Sequence, residues 1–87
     1  MKLDYQITEV QNNYYSEGFM EYETLCWKVW FSNKELLEDV NNEFKLNISI
    51  ESYKEVPEEL AHRIWQFVTK YKKYTGTFGT EYMNPVC

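Results

Sequence analysis

With 87 residues, 44% of them hydrophobic, and eight Tyr, five Phe and three Trp, the chain has apolar surface for one core and too little length for two. Nine Lys and Arg against fourteen Asp and Glu give a net charge of -5, which repels polyanions and argues against duplex DNA or an anionic membrane as a partner. No apolar run approaches the roughly 18 to 20 residues that cross a bilayer, and Met1 to Val10 is a polar alternation rather than a cleavable signal, so a cytoplasmic protein is expected.

In chain order, Leu3, Tyr5 and Ile7 alternate with Asp4, Gln6 and Thr8, the period-2 pattern of a strand with one buried face. Gln11-Asn12-Asn13, with Ser16 and Gly18, reads as a hairpin loop, although Tyr14 and Tyr15 make it aromatic. A second strand runs from about Met20 to Phe31. Its better apolar face carries Leu25, Trp27, Val29 and Phe31, and its other face Tyr22, Thr24, Cys26, Lys28 and Trp30. Ser32 followed by Glu35 forms a capping box, with Phe31 able to pack on Leu36, so a first helix is predicted from Asn33. Leu36, Leu37, Val40 and Phe44 fall on one arc of that helix, and Glu35, Glu38, Asp39, Asn42 and Glu43 on the opposite one. Leu46, Ile48 and Ile50 alternate with Asn47, Ser49 and Glu51 as a third strand. Val56-Pro57-Glu58-Glu59 announces a second helix, with Leu60, Ile64, Phe67, Val68 and Tyr71 as its buried stripe. Lys70, Lys72, Lys73 and Gly76 supply its C-terminal chemistry. Residues 77 to 87 form a tail or an edge strand around Thr80 to Met83.

The expectation is a single α+β domain over residues 1–87, of order β-β-α-β-α. Its three-stranded mixed sheet has room for a short fourth C-terminal strand, and two helices cover one face. Strand 1 pairs antiparallel with strand 2 through the hairpin, and a right-handed crossover through helix 1 is the favoured connection if strands 2 and 3 lie parallel in the sheet.

Chemistry is sparse. Cys26 and Cys87 lack a second Cys or a His at metal-ligand spacing, and both read as reduced thiols. His62 projects opposite the buried stripe of helix 2. The three glycines, Gly18, Gly76 and Gly79, match no nucleotide fingerprint. No catalytic residue, metal or cofactor is expected, and the chain is read as a non-enzyme.

Two surfaces remain. One is the sheet face that the helices leave open, with Tyr22, Trp30 and Tyr53 as candidate anchors of the types enriched at interface hot spots. The C-terminal tail, through Phe78, Tyr82 and Met83, is the alternative cover for that face. The other surface is the acidic arc of helix 1, Glu35, Glu38, Asp39 and Glu43, extended in sequence by Glu17, Glu21 and Glu23. Carboxylates three or four residues apart on a helix lie roughly 5 to 6 Å from one another, similar in scale to backbone phosphates. The acidity is also uneven: residues 1–56 carry eleven acids and five bases, and residues 57–87 three and four.

In size, acidity and lack of chemistry the chain resembles the small inhibitors of phages and mobile elements, such as anti-CRISPR and anti-restriction proteins, or nuclease immunity proteins. Its richness in Asn, Tyr, Lys and Ile fits an AT-rich genome, so the cytoplasm concerned is bacterial, or that of the host of a phage. The expected function is stoichiometric inhibition of a nucleic-acid enzyme, with the acidic surface acting as a nucleic-acid mimic on a basic protein partner. One alternative is a homo-oligomeric structural or regulatory protein using the aromatic sheet face. A second is single-stranded nucleic-acid binding, for which the only basic patch is Arg63, Lys70, Lys72 and Lys73.

Overall fold

The computed structural model describes residues 3–83, with side-chain placement omitted for 13–16, 19–20 and 82–83. Its elements in order are β1 (Tyr5–Ser16), β2 (Phe19–Phe31), α1 (Lys34–Phe44), β3 (Lys54–Val56), α2 (Glu58–Thr69) and β4 (Gly76–Met83). The architecture is α+β: a mixed four-stranded sheet in the order β3-β2-β1-β4, with two helices. β1 pairs antiparallel with β2, β2 antiparallel with β3, and β1 parallel with β4.

The hairpin is tighter than its polar residues suggest. Ser16 pairs with Phe19, and only Glu17 and Gly18 turn the chain, at φ 52° and 84°. Positive φ at both central residues matches the right-handed twist of the flanking strands, and glycine reaches it without strain. The predicted loop from Gln11 onward is therefore strand. The molecule is elongated, 48 × 29 × 21 Å, because these two strands outrun the rest of the sheet.

Near the middle of the hairpin the register breaks. Val10 pairs with Cys26 but Gln11 pairs with Thr24, leaving Leu25 as an extra residue on β2. Such a bulge reverses the alternation beyond it. Trp27, Val29 and Phe31 face the helices as predicted, but Leu25 does not join them and is exposed.

α1 is capped by Asn33, whose Oδ1 accepts from the Leu36 amide at 3.2 Å. Ser32, the predicted cap, instead donates to the Leu3 carbonyl. Asp4 completes this corner. Its backbone N–H donates to the Thr75 carbonyl, and its carboxylate accepts from the Thr75 amide and from Asn33. The starts of β1, α1 and β4 are thereby joined at one side chain.

The predicted third strand is not one, and the hydrogen bonds explain why. α1 ends with Lys45 in the left-handed region, and Asn41 then clamps the following loop. Its Nδ2 donates to the Ile48 carbonyl and its Oδ1 accepts from the Ile48 amide, both at 3.0 Å. One side chain thus takes both backbone groups that a neighbouring strand would need. Ile48 is still buried, but as a loop residue plugged into the core. Replacing Asn41 by Ala leaves two buried backbone groups without partners. We expect a loss of about 2 kcal/mol, read as a lower urea midpoint at unchanged m-value.

The strand that fills the third place is Lys54–Val56, antiparallel to β2, so the predicted parallel crossover through α1 is corrected. Among the described residues the only parallel pair is β1 with β4, at the opposite side of the sheet. α2 links these two edges. Pro57, at φ -63°, stands at its N-cap, and the helix ends at Thr69 before the lysines. Gly76 opens β4 rather than capping the helix.

The core lies between the helices and one sheet face: Tyr5, Ile7, Trp27, Val29 and Phe31 meet Leu36, Leu37 and Val40 of α1 and Ala61, Ile64 and Val68 of α2, closed by Ile48 and Val56. Phe44, Leu60 and Phe67 sit at its margin, and Tyr71 lies farther out. Among the described residues no helix is long and apolar enough to cross a membrane.

Candidate functional site

The helix-free face of the sheet carries a connected row of side chains. Trp30 of β2 lies 6.4 Å from Tyr53, just ahead of β3. The Tyr53 hydroxyl donates to Gln6 Oε1 at 3.3 Å, and the Lys28 ammonium sits 4.4 Å above the Tyr53 ring. That same ammonium meets Glu81 of β4 at 2.8 Å. Lys28 is opposite Thr8 in the ladder and Glu81 opposite Val10, so the ion pair reaches across β1. This accounts for the burial of Val10, which stands apart from the main core. Hydrogen bonding to Glu81 raises the Lys28 pKa above its ordinary value. Nearby, burial and then hydrogen bonding to Glu55 push the Cys26 thiol up, which keeps it protonated and a poor nucleophile.

No described element packs over this face. Phe78 does not fold across it as a tail would: it lies in β4, pointing to the helix side, against Trp27 at 5.5 Å and Trp65 at 4.8 Å. The side chains of Tyr82 and Met83, and all of Cys87, lie outside the described residues.

The acidic arc occupies the other side of the molecule. α1 turns Leu36, Leu37 and Val40 into the core and leaves Glu35, Glu38, Asp39 and Glu43 exposed. Glu35 pairs with Lys73 at 3.4 Å. Both groups are well solvated, so the pair contributes little. Glu38, Asp39 and Glu43 have no ion pair among the described residues. The helix lies between these carboxylates and the sheet, and Trp30 and Tyr53 are on the sheet's far face. The structure therefore brings Trp30 and Tyr53 together and separates both from the acids. Tyr22 is elsewhere again: the bulge at Leu25 turns it to the helix side of the projecting hairpin, opposite Asn13. Glu21 and Glu23 lie on that hairpin too, and Glu17 at its tip.

Three features escaped the sequence reading. Glu9 accepts from Thr24 at 2.6 Å and from Thr80 at 3.5 Å, tying three strands beside the bulge. His62 is exposed as expected, yet its ring packs on Trp27 at 5.0 Å and on Phe78 at 5.6 Å, extending an aromatic group that Trp65 completes. Beneath it the Trp27 indole N–H is buried, with no hydrogen-bond partner among the described residues. The alternation of Phe78 with Thr77 and Gly79 is the one signal that could have placed Phe78 on a strand. Among the described residues no three His, Cys, Asp or Glu side chains cluster as a metal site would require. Comparison with family models, with curated proteins and with solved structures finds no match to this chain.

Proposed function

We propose that the protein is a stoichiometric binder, and thereby an inhibitor, of a protein whose own basic surface holds nucleic acid. The observation that carries this reading is the outward arc of α1, where Glu38, Asp39 and Glu43 stand exposed, without ion pairs among the described residues, on a helix held by three buried side chains. A rigid row of carboxylates at helical spacing presents negative charge at fixed intervals, and charge complementarity of that kind chiefly accelerates association. The open sheet face favours a nucleic-acid ligand less, because its Lys28 is already committed to Glu81 and Glu55 lies beside it.

The test compares wild type with the E38K/D39K variant on a partner captured from nuclease-treated lysate. Association of the variant is expected to be slower by about tenfold at low salt, with a flatter salt dependence. Duplex DNA added as a competitor is expected to release the captured partner from wild type. Capture that neither DNA nor charge reversal affects rules out the acidic arc as the contact.

A further inference from the structure

The two edges of the sheet are unlike. The β3 edge is three residues long, carries Lys54 and Glu55, and stops at Pro57. Each is a device that blunts an edge against pairing. β4, at the other edge, has eight residues, Gly76–Met83, and among the described residues pairs only with β1. Its outer backbone groups form an unpaired row about 25 Å long. The strand contains no proline and no lysine, and its single charge, Glu81, is neutralised by Lys28 at 2.8 Å. Gly79 lies mid-strand, where a side chain would meet nothing within 4 Å and where φ is not positive. Neither crowding nor backbone geometry inside the chain requires a glycine there. An unexplained glycine within a strand is a mark of close approach by something outside it. Along the helix side of the same edge, Trp65 and Phe78 stack at 4.8 Å yet remain 37% and 39% exposed.

We propose that the outer edge of β4 is the surface through which two copies of this chain join, antiparallel, into one continuous sheet. A strand edge is self-complementary under a two-fold axis perpendicular to the sheet, which keeps helix side against helix side. In the registers centred on Gly79 or on Thr80, Glu81 stands opposite Thr77 or Gly79 of the second copy and never opposite itself. The net charge of -5 therefore does not oppose this contact locally. The second copy also covers the Trp65 and Phe78 pair. This inference uses neither the acidic arc of α1 nor the open sheet face, so it stands or falls independently of the proposed function.

Light scattering on size-exclusion fractions over a range of loading concentrations tests it, with amide hydrogen exchange as the second measurement. Wild type is expected to approach twice the monomer mass as concentration rises, with amide protection in Gly76–Met83 rising in step. G79E sets a carboxylate against its own copy in one register and against Glu81 of the second copy in the other. It should run as a monomer whose thermal melt matches that of wild type at dilutions where wild type is also monomeric, while G79S remains dimeric. A wild type that is monomeric throughout, with β4 exchange independent of concentration, overturns the proposal. So does a dimer that G79E leaves intact, which places the contact on another surface. A monomer that protects β4 only when a foreign extended peptide is added also overturns it, and assigns the edge to a different chain.

Discussion

Phe31→Ala is expected to remove a large part of the protein's stability. Phe31 is fully buried and is the largest such side chain among the described residues. It pairs with Tyr5 across the ladder, stands two residues ahead of the α1 cap, and its carbonyl accepts the Glu51 amide at 2.8 Å. It therefore anchors the point where β2, α1 and the clamped loop converge. Truncating a buried Phe costs about 3 to 5 kcal/mol, whereas a domain of this length has roughly 4 to 13 kcal/mol of stability in all. A fall in Tm of at least about 12 °C follows from the size of the transition entropy. Circular dichroism melts of the two proteins measure it directly. A shift of only a few degrees would falsify the placement of Phe31 at the centre of the core.

The second large effect is expected at Gly76, for a different reason. Gly76 sits directly opposite Tyr5 in the parallel β1-β4 pair, and a Cβ there would be driven into the Tyr5 ring. That ring is buried, so it cannot swing aside into solvent without leaving the core. Gly76→Val must either expel Tyr5 or detach the start of β4. Either route costs about 3 kcal/mol, the value of burying one large side chain. Burial, and then the neighbouring Asp4 carboxylate, raise the Tyr5 phenol above its usual pKa. Absorbance titration at alkaline pH therefore reports the displacement, because a Tyr5 expelled from the core loses the burial contribution and ionises at lower pH than in wild type. Gly79→Val on the same strand provides the contrast. Its side chain meets open space, so it should change the stability of the monomer little. Equal losses at the two glycines would contradict the contact of Gly76 with Tyr5.

The elements best read from sequence were those whose signals are local. Both helices followed from apolar spacing and start within a residue of where they were expected, although Asn33 rather than Ser32 caps α1 and Pro57 makes no side-chain cap bond at α2. The acidic arc was legible for the same reason, since exposure on a helix follows from angle alone. Trp30 and Tyr53 were also rightly assigned to one face, although Tyr53 reaches it from a loop rather than from within a strand. What failed depended on pairings that the periodicity of a single segment does not carry. Leu46 to Glu51 alternates as a strand does, but alternation cannot reveal that Asn41 has already taken the hydrogen bonds of Ile48. β4 was foreseen only as a short piece around Thr80 to Met83. Its true start depends on Gly76 fitting beneath Tyr5, more than seventy positions away. The grouping of Tyr22 with Trp30 failed for a reason no periodicity shows, one surplus residue at Leu25.

That surplus residue separates two kinds of constraint. On the near side of Leu25 the strands answer to the helices, and any change of side chain is felt by a packed interior. On the far side the hairpin ladder runs on past the last β4 pairing at Asn12 and away from the helices, so its end bears less on the core. A change of chemistry at the end of the protrusion therefore leaves the packing of the body beneath it in place.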